Sequence, residues 1–103
     1  MLGKYLARCF VTAAATCLLA DSSFAYTGQG LASKAKITID EARAIALKAR
    51  PGTITDEELE KEKGRSGLRY SFDVKSGKVT YEIGIDAQTG KVLENSKEGR
   101  HSD

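Results

Sequence analysis

The densest run of reactive side chains in this sequence is TITDEELEKEKGRSG, where Asp56, Glu57, Glu58, Glu60 and Glu62 fall within seven residues. Neighbouring carboxylates can divide general acid and general base work when their surroundings push their pKa values apart, which needs an apolar setting around one of them. Here Leu59 is the only apolar residue in the run beyond Ile54, and Lys61 and Lys63 are interleaved with the acids. The run therefore reads as a solvated acidic face. On an exposed strand, Asp56, Glu58, Glu60 and Glu62 would form an edge that favours a basic protein partner, with an attraction weakened by salt.

Other reactive types are sparse. His101 is the only histidine and lies in the charged stretch SKEGRHSD, which reads as a solvated tail. Asp86 and Thr89 in DAQTG offer oxygens to a cation, but one carboxylate is far short of the roughly six to eight ligands calcium takes. That segment reads as a turn, and no metal or cofactor is expected. Tyr70, Phe72 and Tyr81 alternate with polar residues among aliphatic neighbours, as core aromatics do.

The first 25 residues read as an export signal. Lys4 and Arg8 form a positive start, CFVTAAATCLLA is an apolar stretch, and Ser23 and Ala25 place small side chains at a signal-peptidase site. A bilayer span needs about 20 apolar residues, and Asp21 interrupts this run too early. Cleavage after Ala25 removes Cys9 and Cys17, so no disulfide or thiolate chemistry is expected in the mature chain. It also removes Lys4, Arg8 and Asp21, which leaves a net charge of about +1. That balance argues against nucleic-acid binding, which calls for a basic excess or stripe.

The chain then divides into a flexible lead-in at 26–36, a folded domain at 37–96 and a charged disordered tail at 97–103. The lead-in YTGQGLASKAK has neither helical nor strand periodicity. Thr38 and Glu41 have the spacing of a capping box, Ile37 precedes the cap as a staple residue, and Ala42, Ile45, Ala46 and Ala49 recur on one face. Asp40 and Glu41 at the start and Lys48 and Arg50 at the end suit the helix dipole, and Pro51-Gly52 stops the element. The spacing predicts a helix over 39–49.

In LRYSFDVKSGKVTYEIGID, Leu68, Tyr70, Phe72 and Val74 alternate with polar residues, as do Val79, Tyr81, Ile83 and Ile85. With Ser76-Gly77 as a two-residue loop, Val74 faces Val79, Phe72 faces Tyr81, Tyr70 faces Ile83 and Leu68 faces Ile85. Gly90 permits a second turn, and a short last strand begins at Val92 or Leu93. For 53–62, Thr55 and Glu58 repeat the capping-box spacing and local propensity favours a helix. Ile54 and Leu59 alone are too few anchors for one, whereas a polar edge strand needs few.

Taken together, ITIDEARAIALKARPG, LEKEKGRSGLRYSFDV and above all KVTYEIGIDAQTGKVLE resemble the PepSY family, whose members include propeptides of secreted metallopeptidases. The resemblance implies that 55–62 is a strand and that the fold is α+β, with one N-terminal helix packed on one face of a small antiparallel sheet of three to four strands. It further implies a non-enzymatic periplasmic or secreted module that restrains or modulates a secreted or envelope peptidase, acting in trans because no protease domain follows. A small-ligand or cation-sensing module and an envelope structural protein are the alternatives. No membrane span is expected to remain after cleavage.

The export reading predicts a mature N-terminus at Tyr26. N-terminal sequencing of protein from the native compartment checks it, and a full-length cytoplasmic product would overturn it.

Overall fold

The computed structural model describes residues 25–98. The expected export signal, apart from Ala25, and the end of the expected tail, including His101, lie outside the described residues. The elements run in the order 3-10 helix (Gln29–Lys34), α1 (Ile39–Ala49), β1 (Thr53–Lys61), β2 (Leu68–Ser76), β3 (Val79–Asp86) and β4 (Val92–Lys97). The strands form one antiparallel sheet in the order β1-β2-β3-β4, with α1 across one face. The fold is α+β, and the ambiguous acidic run is a strand.

Helix α1 begins and ends where its local chemistry requires. The Thr38 hydroxyl accepts from the Glu41 amide, the Glu41 carboxylate accepts from the Thr38 amide, and the helix stops before Pro51. Ala42 and Ala46 are fully buried, and their small side chains let the helix backbone sit close on the sheet. Ile37, Ile39, Ile45 and Leu47 pack around them.

Beneath the helix lie Leu59 from β1, Leu68, Tyr70, Phe72 and Val74 from β2, and Ile83 and Ile85 from β3. Every second residue points inward, as the alternation required. The Tyr70 and Phe72 rings stack with centroids 6.3 Å apart. The Tyr70 hydroxyl donates to the Ile37 carbonyl at 2.8 Å, which ties the helix entry to the sheet. Burial pushes that phenol's pKa up to about 12, so it stays a donor.

The hairpin register differs from the expected one by two residues. Ser76 pairs with Val79, Val74 with Tyr81, Phe72 with Ile83 and Tyr70 with Ile85. The loop is Gly77-Lys78, with φ 67° at Gly77. A Ser76-Gly77 turn would demand positive φ at serine, whereas this one places it on glycine, as a II′ hairpin does. A slip of two keeps every side chain on its face, so alternation alone does not distinguish the registers.

Strand β1 contains one irregularity. Ile54 pairs with Val74 and Asp56 with Asp73, leaving Thr55 as an extra residue. This bulge reverses the alternation, so that Ile54 and Leu59 both pack inward despite odd spacing. Asp56, Glu58 and Glu60 consequently face away from the helix.

The stretch 26–36, expected to be flexible, is ordered. Its 3-10 helix packs on β1, and Tyr26, Leu31, Ala32 and Ala35 rest against the core. Short apolar residues without a full helical period suffice for two turns of 3-10 helix, which is why periodicity missed it. At the other end β4 continues through Lys97, and the Glu98 amide donates to the Thr80 carbonyl. The ordered region therefore extends past the expected boundary at residue 96.

Tyr81, also expected in the core, is half-buried, with the Arg50 guanidinium 3.7 Å from its ring centroid. Phe72→Ala should destabilise the domain by about 3–5 kcal/mol, as truncating a buried aromatic does, and Tyr81→Ala by distinctly less. Denaturant unfolding of the two variants checks this ranking.

Candidate functional site

The face of the sheet opposite α1 is polar and mainly acidic. Asp56, Glu58 and Glu60 on β1, Ser71 and Asp73 on β2, Glu82 on β3 and Glu98 beyond β4 line a shallow depression of about 230 Å³. The strand register brings them together: Asp56 lies opposite Asp73, Glu58 opposite Ser71, and Asp73 opposite Glu82. Like charges placed directly across a ladder repel. Their mutual proximity is therefore a cost borne by the fold.

Arg69 offsets part of that cost. Its guanidinium lies over Gly84 and reaches carboxylates from three other strands: Glu94 at 2.6 Å, Glu82 at 3.6 Å and Glu60 at 3.7 Å. A Cβ on residue 84 would lie 2.5 Å from the guanidinium carbon, so glycine there makes room for it. Arg69 Nε also donates to the Ser71 hydroxyl, which donates to Glu60. Sequence reasoning placed Arg69 only as an outward residue of a strand. The signal it missed is Gly84, a small residue inside a strand and diagonal to an arginine.

Of the four expected edge residues, three converge. Asp56 and Glu58 have no ion pair among the described residues, while Glu60 is engaged by Ser71 and Arg69. Glu62 stands apart: it follows the end of β1, its amide donates to the Gly67 carbonyl, and Arg65 lies 3.9 Å from its carboxylate. Glu57 points to the helix side, where Arg43 grips it with two nitrogens at 2.7 and 2.9 Å.

The rim of the sheet at β1 is also partly occupied. Thr27 forms a parallel bridge to Glu58, and the Leu59 amide donates to the Thr27 carbonyl at 2.9 Å. Beside this contact, a cleft of about 350 Å³ opens between residues 25–27 and residues 54–57.

Charge crowding moves the titrations of this face. Burial, then the neighbouring Glu60 and Asp56, raise the Glu58 carboxyl above its ordinary value. Burial, then Glu98 and Asp56, raise Asp73. Burial, then Glu94, raise Glu82 against the opposing pull of Arg69. Glu94 moves the other way, held down by its hydrogen bond to Arg69.

The DAQTG segment is a self-satisfied turn. The Asp86 carboxylate, on a residue only 4% exposed, accepts from the Ser66 hydroxyl at 2.7 Å and from the amides of Gln88 and Thr89 at 2.8 and 3.1 Å. Burial alone would raise its pKa, but these hydrogen bonds outweigh it and hold the carboxyl below its ordinary value. Among the described residues no group of His, Cys, Asp or Glu side chains is arranged to hold a metal ion. No helix of the described residues is long and apolar enough to cross a membrane.

Comparison with known proteins gives one match. The family model for PepSY, described as peptidase propeptide and YPEB domain, matches residues 36–95, which spans α1 and all but the end of the sheet. No curated protein and no solved structure matches the chain.

The opposed shifts predict a two-sided acid profile. Glu58, Asp73 and Glu82 take up protons more readily folded than unfolded, so stability rises as pH falls through their raised values towards the ordinary carboxylate range. Asp86 and Glu94 have lowered folded values, so the stability they contribute is present above the ordinary range and is lost as pH falls below it. Thermal unfolding against pH should show a maximum on the acid side of neutrality. Glu58→Gln should flatten its neutral limb and Asp86→Asn its acid limb.

Proposed function

The chain belongs to the PepSY family, and on that premise we propose that it is an exported, non-catalytic module that binds a peptidase of the cell envelope or exterior and restrains its activity. The family's description as a peptidase propeptide domain supplies the partner class. The observation that carries the reading on this chain is the placement of the acidic run. Strand β1 is at the rim of the sheet, and Asp56 and Glu58 project from it with no cation of the chain's own among the described residues.

A strand at the rim offers backbone amides and carbonyls to an extended segment of another chain, and its side chains select among such segments. Unneutralised carboxylates beside that rim favour a lysine- or arginine-bearing segment and speed its encounter. Of the expected edge, Asp56, Glu58 and Glu60 serve this reading. Glu62 does not, because it leaves the strand and faces Arg65. Export delivers such a module to the compartment where its partner works.

Purified protein should slow substrate hydrolysis by at least one member of a panel of secreted peptidases without being consumed. Asp56→Lys with Glu58→Lys should weaken that inhibition about tenfold or more at low salt, with a smaller effect at high salt. Glu60 is left unchanged so that the Arg69 network stays intact. Inhibition by no peptidase, or inhibition indifferent to the double reversal at low salt, would overturn the reading.

A further inference from the structure

The acidic rim of β1 already carries a bridging stretch of backbone, and that stretch belongs to the chain itself. Thr27 runs parallel to β1, bridges to Glu58 and accepts the Leu59 amide. Gly28 follows with φ 86°, and a methyl group there would overlap the Leu59 carbonyl. Beyond it the chain turns straight into the 3-10 helix, where the Leu31 amide donates to the Gly28 carbonyl. The contact is thus one bridge long. It ends because Gly28 steers the backbone away from the rim.

Resting on the binding role proposed above, we infer that residues 26–28 are a resident guard on a strand-accepting edge, and that the partner is an extended, basic segment that adds parallel to β1 by displacing it. Three observations converge on this. The guard demonstrates that the Leu59 amide accepts a parallel chain. Its hold on the rim itself is a single bridge, flanked by the half-buried Tyr26 and the core contacts of the 3-10 helix. Its side chains at this point are uncharged, whereas Asp56 and Glu58 beside it have no cation among the described residues, so a basic segment gains an attraction that Thr27 does not provide. The cleft along residues 54–57 continues the same rim towards the start of β1 and gives a longer segment somewhere to extend.

The positions also separate guard from scaffold. Gly28→Ala forces the backbone off the Leu59 carbonyl, because both the overlap and the positive φ oppose it. Gly30→Ala is the matched control, since a Cβ there meets nothing within 4 Å. Thr27 is exposed and shares the side of its bridge partner Glu58, so Thr27→Lys should tighten the guard and Thr27→Asp should loosen it.

The test uses the full chain and a fluorescent peptide of alternating lysine and valine. Hydrogen exchange should show the Leu59 amide protected in the native protein and in Gly30→Ala, and exposed in Gly28→Ala, with the Ile83 amide protected in all three. An edge freed from its guard binds in proportion to the fraction it is open, so Gly28→Ala should bind the peptide about tenfold or more tightly than the native chain. Thr27→Asp should shift affinity in the same direction and Thr27→Lys in the opposite one. Should Gly28→Ala lose protection at Ile83 as well, the Thr27 pair decides, because neither change disturbs backbone geometry. Equal peptide affinity across the Thr27 pair, or a Leu59 amide exposed in Gly28→Ala with no gain in peptide affinity, would overturn the guard while leaving peptidase inhibition through other contacts intact.

Discussion

One helix covers only one face of a four-stranded sheet, and this asymmetry governs the rest of the molecule. Strands β1, β2 and β3 carry an apolar set towards α1 and a polar set away from it, since a slip of one residue exchanges the two. Leu59, Tyr70, Phe72, Val74, Ile83 and Ile85 make the dry side. Among the described residues no second layer covers the opposite side, and this chain makes that side acidic. The bulge at Thr55 lets β1 obey the same rule along its whole length.

An acidic face built from four strands repels itself unless something spans it. Arg69 is placed to do so from the second strand, and Gly84 gives its guanidinium room to lie flat. The neutralisation is incomplete by geometry. Arg69 serves Glu60, Glu82 and Glu94, towards one end of the depression, and leaves Asp56 and Glu58 at the rim without a counter-charge among the described residues. Charge that the fold does not use internally is concentrated where the backbone is open to another strand. Structure and proposed recognition meet at β1 for that reason.

Much of this was legible in the sequence because local chemistry and global packing agree. The capping box of Thr38 and Glu41, the stop at Pro51 and the alternation through Leu68 to Ile85 each specify their element without help. The acidic strand required tertiary reasoning, since Thr55 and Glu58 mimic a helix start and only the scarcity of apolar anchors argued otherwise. Two features lay beyond reach. Alternation has period two and is blind to a two-residue slip, so the Gly77-Lys78 loop needed the backbone angle to reveal it. Residues 26–36 carry no period, and their order comes from contacts with β1 that no local pattern encodes. Of the acidic site, the rim residues were identifiable by charge, but Arg69, Asp73 and Glu82 join them only through strand register.

The central claim is that β1 receives the partner as an added strand. Hydrogen exchange on the complex with an inhibited peptidase tests it most directly. The account predicts new protection confined to amides of β1, together with faster exchange at residues 26–28 as the guard is displaced. Protection appearing instead on the exposed face of α1 around Ala44 and Lys48, or along β4, with β1 unchanged, would contradict it.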